Sequence, residues 1–375
     1  MPINDITMNY KTAIASFTKD QTSIIKGIAI LMIVFHNFFH WIEPIDSMEN
    51  EFYFKLDHVK AFLQAFADSP GEFINIIFSY LGHYGVEIFI FISGYGLTKS
   101  FLNKEKSWGR FMIDRLKKLY PLLFIGLVVY ILSKITMTYA APTPAEWKSM
   151  IYKLLFIHLF IPGETMMLCG PWWFFGLIIQ LYIFFPLLYK LISKYGFKAF
   201  ALISITSYIF VYYALNKWHL TGGLTVMEHC VAHFPEFCLG IYLGKKENVC
   251  VNIWAFLIAL TIFILGNFYE VFFPLTFLSV TYVLIYIFVK VISWNPKPTM
   301  IRRIMIYIGS ISMMIFITHG MFRWQYISLA KHYNHTILTI VIALAYFLEI
   351  FLLSLSAKVV YDWIQGLLKK TKPEE

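Results

Sequence analysis

Residues 22–41 read TSIIKGIAILMIVFHNFFHW, and this stretch decides the class of the chain. Its length is that of one bilayer crossing by an α-helix, about 20 residues. Apart from Lys26 near its start it is apolar as far as His36, and His36, Asn37 and His40 then crowd its second half. His36 and His40 are four residues apart and share one helix face. The whole chain has the same character. Of its 375 residues, 59% are hydrophobic, 19% aromatic and only 14% charged, and the mean hydropathy is +0.65. Soluble domains are about 45–50% apolar and about 25% charged. These values exclude a large soluble domain, a disordered chain and a disulfide scaffold. They predict an all-α polytopic membrane protein.

Nine further stretches repeat the pattern. The predicted spans are 22–41, 73–97, 116–133, 171–189, 198–215, 233–244, 251–267, 271–289, 304–322 and 337–357. The sixth, HFPEFCLGIYLG, is short; it either begins earlier, near Val226, or is a broken helix. Residues 150–162 are apolar but too short to cross, and are expected at the interface. The predicted organisation is an N-terminal segment (1–21), one membrane domain (22–360) and a tail (361–375), with no repeat and no linker. The polar, acid-containing N-terminus lacks the pattern of a cleavable signal. With the N-terminus inside and ten crossings, the inner segments hold 23 of the 31 Lys and Arg residues and the outer segments hold 8. By the positive-inside rule both termini are cytoplasmic. The net charge of +9 is therefore topological, and no nucleic-acid partner is expected. None of the four cysteines forms a CxxC pair, so no metal is expected. Cys169 and Cys230, both placed outside, are the pair open to a disulfide.

Ionisable groups in apolar spans cost at least a few kcal/mol each, roughly, and are functional candidates. His36 lies deepest; His40 with Trp41 also reads as an interface anchor. Glu87, in GVEIFIFISGYG (85–96), stands in uninterrupted apolar sequence near the same depth. It either pairs with His36, fixing the tautomer of a general base, or stays protonated on a backbone carbonyl. Ser93 and Tyr95 flank Gly94, where a ligand or another helix backbone can approach closely. Arg115 and Lys118 lie three apart at the inner start of a span, with Arg110 nearby; they read either as anchors or as a phosphate-binding pair. Trp172 and Trp173 read as an aromatic belt or as a stacking platform for a sugar. Gln180 is polar within an apolar helix, and His319 lies near the outer end of its span. Glu236 and Glu349 are further candidates.

In this order, KGIAILMIVFHN (26–37), GVEIFIFISGYGL (85–97), RLKKLYPL (115–122), WWFFGLIIQLYIFFPLL (172–188), FPEFCLGIYLGK (234–245) and IGSISMMIFITHG (308–320) resemble the acyltransferase-three family of integral membrane acyltransferases. The resemblance runs through most of the chain. It implies ten helices with cytoplasmic termini and transfer of an acyl group, most often acetyl, from cytoplasmic acyl-CoA to a carbohydrate or lipid-linked acceptor. It implies acetyl-CoA as a substrate rather than a bound cofactor, a surround of membrane lipid, and a bacterial inner membrane. The family's first-helix base corresponds to His36, one residue earlier than the commonest spacing, with Asn37 at the usual position; His40 stays open as an alternative. Asn37 is the one oxyanion donor considered. The family's two-arginine motif appears as Arg115 and Lys118, its acid ahead of Phe-x-x-Ser-Gly as Glu87, and its fourth-helix acid as the uncharged Gln180. No fused extracytoplasmic esterase-like domain is expected after the tenth span. A transporter or flippase for a glycan or lipid-linked intermediate is the competing class.

Overall fold

The structure is a computed structural model that describes residues 11–217, 224–294 and 299–370. The outer parts of the expected terminal segments, 1–10 and 371–375, lie outside the described residues. The chain is helical almost throughout. In order it forms α1 (Lys19–Phe39), α2 (Leu56–Asp68), α3 (Phe73–Leu81), α4 (Gly85–Asn103), α5 (Trp108–Thr138) and α6 (Pro144–Leu154). It continues with α7 (Trp173–Tyr195), α8 (Phe197–Lys217), α9 (Cys230–Gly244), α10 (Ile253–Phe268) and α11 (Thr276–Trp294). It ends with α12 (Met300–Ser310), α13 (Ser312–Tyr333) and α14 (Thr336–Lys370).

Each predicted span falls on helix, but not all are full crossings. Among the described residues seven helical stretches are long and apolar enough to cross a bilayer, or eight if α12 and α13 form one broken span. α9 and α10, with 15 and 16 residues, fall short of that length. The sixth span is thus a short helix starting at Cys230, and Val226–Glu228 is a separate 3-10 turn. The second span is α3 and α4 joined through the 3-10 turn Gly82–Tyr84. The ninth bends by 76° between α12 and α13. The disulfide is not formed: Cys169 and Cys230 are both free and buried.

α1 begins with a capping box. The Thr18 hydroxyl accepts from the Gln21 amide at 3.2 Å, and the Gln21 side chain accepts from the Thr18 amide at 2.8 Å. The helix then runs through the centre of the bundle, against α3, α4, α12 and α13. Two seams are built on glycine. A Cβ at Gly309 would lie 1.7 Å from the Ser23 carbonyl oxygen, and one at Gly27 would lie 2.4 Å from that of Met305, so α1 and α12 touch backbone to backbone. Gly94 and Gly240 do the same for α4 and α9, each within 2.3 Å of a facing carbonyl. Glu87 and Glu236 are both buried near this second seam.

One element departs from the all-helical expectation. Residues Lys11–Ala15 (β1) pair antiparallel with Asn248–Asn252 (β2), with Ala13 opposite Cys250. The signal was the alternation of NVCVN, whose Val249 and Val251 point inward. This ribbon puts the start of α1 and the α9–α10 connection at one end of the bundle.

Candidate active site

Two cavities lie at opposite ends of α1. The larger, about 530 Å³, surrounds the second half of α1 and is lined by His36, Asn37, His40, Trp41, Glu49, Glu51, His83, Trp173, Arg323 and Trp324 among others. The smaller, about 180 Å³, is lined by Lys26, Ser93, Tyr182, Ser310 and Ser312 with apolar neighbours. Between them Ile33, Val86, Phe89, Phe174, Met313 and Phe316 enclose a neck of about 10 Å³. The neck shares Ile33, Val86, Phe174 and Phe316 with the larger cavity, and Phe89, Phe174 and Met313 with the smaller. Lys26 and His36, ten residues apart on α1, stand about 15 Å apart along its axis.

The histidines of α1 carry defined hydrogen bonds. His36 Nδ1 lies 3.2 Å from the Phe78 carbonyl and 3.1 Å from that of Ser79. Two acceptors require a proton on Nδ1, which leaves the Nε2 lone pair for the cavity. Nε2 is 4.0 Å from Glu51. His40 Nδ1 lies 3.3 Å from Glu49 Oε1. The two imidazole ring centres are 4.6 Å apart.

Glu87 does not pair with His36. It sits on the α4–α9 side, where its charge neighbour is Glu236, and one of its oxygens has no partner. Carboxylates from the loop after α1 stand in the place the sequence assigned to it. Burial by itself raises the Glu49 carboxyl, but the hydrogen bond from His40, then the charges of His40, His36 and His83, outweigh it and hold it at about 2. Burial, followed by the negative charges of Glu49 and Glu228, pushes the Glu51 carboxyl up to about 8. Two neighbouring carboxyl groups are therefore split at neutral pH, Glu49 ionised and Glu51 protonated.

Asn37 lines the cavity and is tied on both sides of its amide. Its amide nitrogen donates to the Ile33 carbonyl at 2.9 Å, and its oxygen accepts from Arg323 Nη1 at 2.5 Å. Arg323 is the buried cation of this cavity, with its guanidinium 5.8 Å from the Trp41 ring centre and 5.2 Å from that of Trp324.

Of the expected sugar contacts only Trp173 lines the large cavity. Trp172 is fully buried against Gly126, and its indole donates to the Ile317 carbonyl at 3.2 Å. Gln180 accepts from the Cys230 amide at 3.2 Å and thereby caps α9. His319 is buried beside the cavity with Nδ1 on the Phe316 carbonyl at 2.8 Å. The Tyr95 hydroxyl accepts from the Phe17 amide at 2.9 Å, a structural tie to the segment before α1. Ser93 belongs to the small cavity, where it bonds Tyr182. Glu349 bonds Tyr326 between α13 and α14.

At the small cavity Arg115 packs its guanidinium over Phe111 at 5.5 Å and over Tyr182, a lining residue, at 5.9 Å. Lys118 is exposed one turn further along, and the charges of Arg115, Asp114 and Lys106 act on it. Arg110 is exposed. The residues that sequence reasoning missed are Lys26, Glu49, Glu51, His83 and Arg323. Arg323 carried a signal, four residues after His319 on one face. Glu49 and Glu51 carried none, because MENEF (48–52) reads as an ordinary polar loop.

Behind the large cavity, Lys153 and Glu228 are both buried. Lys153 donates to the Thr165 carbonyl at 3.1 Å, and Glu228 accepts from the Thr165 hydroxyl at 3.0 Å. Burial pushes the Glu228 carboxyl up from 4.5 to about 7, against the opposing effects of Thr165 and Lys153. A raised carboxyl contributes stability in full below its unfolded pKa, and that stability is lost as pH rises through the folded one. Glu228→Gln, whose amide oxygen accepts the same bond, is neutral throughout. Its melting temperature should match wild type near pH 4.5 and exceed it above about pH 7, by at most about 3 kcal/mol in free energy. Thermal unfolding in detergent across that range checks this.

A family profile described as an acyltransferase domain matches residues 23–359, nearly the whole chain. No curated protein and no solved structure matches it. The profile spans both cavities and the neck that joins them, together with the apolar helices that carry them. The chain belongs to the acyltransferase-three family and is an integral membrane acyltransferase.

Proposed function

We propose that the protein moves an acetyl group from cytoplasmic acetyl-CoA to a hydroxyl of a cell-surface or exported glycan. The observation that carries this is the pair of cavities at opposite ends of α1, one lined by Lys26 with Arg115 stacked on its Tyr182 wall and the other lined by histidines, meeting at an apolar neck. The bundle sits in the lipid of a bacterial inner membrane with both termini cytoplasmic, its ten passes counting the bent α12–α13 pair and the short α9 and α10 as one each. Lys26, Arg115 and Lys118, with Arg110 at the edge, hold the anionic donor at the inner end. The thioester passes into the neck, whose apolar walls exclude water. The glycan enters the large cavity and stacks on Trp173, Trp41 and Trp324.

His36 is the base nearest the neck, one turn beyond Ile33. Its Nε2 takes the proton of the glycan hydroxyl as the oxygen attacks the thioester carbonyl carbon. The ionised Glu49, on His40, offsets the charge that His36 gains. Arg323, held by Asn37, stabilises the oxyanion. The tetrahedral intermediate collapses, the C–S bond breaks, and the thiolate takes the proton back from His36. Transport of a glycan fits less well, because the neck would have to open for whole sugar rings, whereas transfer needs only an acyl thioester to enter it.

The test is acetyl-CoA consumption by the protein in lipid nanodiscs with glycan acceptors. Wild type should transfer. Met313→Trp, which adds bulk in the neck and in the small cavity that shares this residue, should reduce transfer to background. Failure of wild type to consume acetyl-CoA with any acceptor, or full activity in Met313→Trp, would overturn this function.

A further inference from the structure

His36, His40 and Glu49 do more than line a cavity. One ligand atom from each lies within 4.8 Å of the others. The 3.3 Å between His40 Nδ1 and Glu49 Oε1 is the edge of a tetrahedron with bonds of about 2.0–2.1 Å. His36 directs Nδ1 at the Phe78 and Ser79 carbonyls, the arrangement that orients a metal-bound imidazole and leaves Nε2 as the ligand.

A second observation is independent of that trio. His83, from the turn between α3 and α4, lines the same cavity and is 2% exposed, and beyond a backbone contact with Tyr80 its ring has no polar partner, which leaves at least one ring nitrogen unpaired. Its ring centre is 5.6 Å from that of His36. The Glu49 oxygen Oε2 is also buried without a partner. Leaving a buried polar atom unpaired is costly, so these groups call for a ligand. All of them are electron-pair donors when neutral or ionised, which a cation satisfies and a sugar hydroxyl satisfies one at a time.

We propose that His36, His40 and Glu49 bind one divalent transition-metal ion, and that the neighbouring His83 ring shifts in as the fourth donor when the ion binds. Imidazole nitrogens with a single carboxylate favour zinc and its d-block neighbours over calcium or magnesium, which prefer all-oxygen sites. Binding does not depend on acetyl transfer being the chemistry of the cavity. If that chemistry holds, the ion occupies the lone pair of His36 and blocks it as a base.

The test uses the full chain in nanodiscs, loaded with Zn²⁺ or Co²⁺ and then dialysed. Elemental analysis should find one ion per chain in wild type, and Co²⁺ should give the visible spectrum of a tetrahedral, imidazole-bound ion. Glu49→Gln and His40→Gln should weaken binding by more than about 100-fold, and His83→Gln by about 10-fold. His332→Gln, exposed on α13 and outside the cluster, should bind as wild type. The proposal is overturned if wild type retains neither ion, if its Co²⁺ spectrum is that of the hydrated ion, or if Glu49→Gln binds as tightly as wild type. The wild-type spectrum decides the matter even where a variant does not fold.

Discussion

Changing His36 to alanine should lower acetyl transfer by about 10²- to 10⁴-fold, the contribution of a positioned general base. The loss should fall on kcat. Lys26 and the smaller cavity lie about 15 Å away along α1, so binding of acetyl-CoA there should be unchanged. The fold should survive. Gly82 packs against the Cβ of His36, which alanine keeps. The readouts are acetyl-CoA turnover and a separate donor-binding isotherm in nanodiscs. Retention of activity in His36→Ala, with loss in His40→Ala, would move the base one turn outward to the residue that Glu49 orients. That outcome would also leave the two carbonyls on His36 with a purely structural role.

The second large effect is on folding. Gly309→Val should leave almost no folded protein in the membrane fraction, as read by detergent extraction and size-exclusion chromatography. A Cβ there falls 1.7 Å from the Ser23 carbonyl oxygen and 2.9 Å from the Gly27 amide nitrogen, both of them backbone atoms. No rotamer change relieves a backbone clash, so α1 and α12 must separate. Overpacking that side chains can absorb costs about 1–3 kcal/mol, and this seam exceeds that range because nothing in it can yield. Gly309 also lines the smaller cavity with Lys26. Separating the helices would therefore disturb the donor site before it unfolded the bundle. Gly366→Val, with nothing near its Cβ position, is the matched control and should be recovered at the wild-type level.

Much of this protein was legible in its residues. Length, apolar content and the distribution of Lys and Arg determine a helical membrane protein, because a bilayer offers no water to an unpaired backbone group and penalises every charge left in its core. The first helix identified the face that lines the large cavity, since His36 and His40 at four-residue spacing cannot point apart. Arg115 and Lys118 were placed at one end of the bundle by the same reasoning. Helix sequence alone did not decide which polar groups meet. Glu87 reads as the partner of His36 because both lie at mid-span, yet rotation about α4 turns it toward Glu236 and α9, where Gly94 and Gly240 bring the backbones together. Trp172 and Gln180 read as ligand contacts because they are polar or aromatic in an apolar run, and in the structure they satisfy backbone groups of neighbouring helices. Glu49 and Glu51 sit in an unremarkable loop, and only the folding of that loop over the end of α1 brings them to the histidines. Sequence pattern determines what a segment can bury. Which buried groups become partners depends on helix rotation and loop path, and those are set by close packing across the whole bundle.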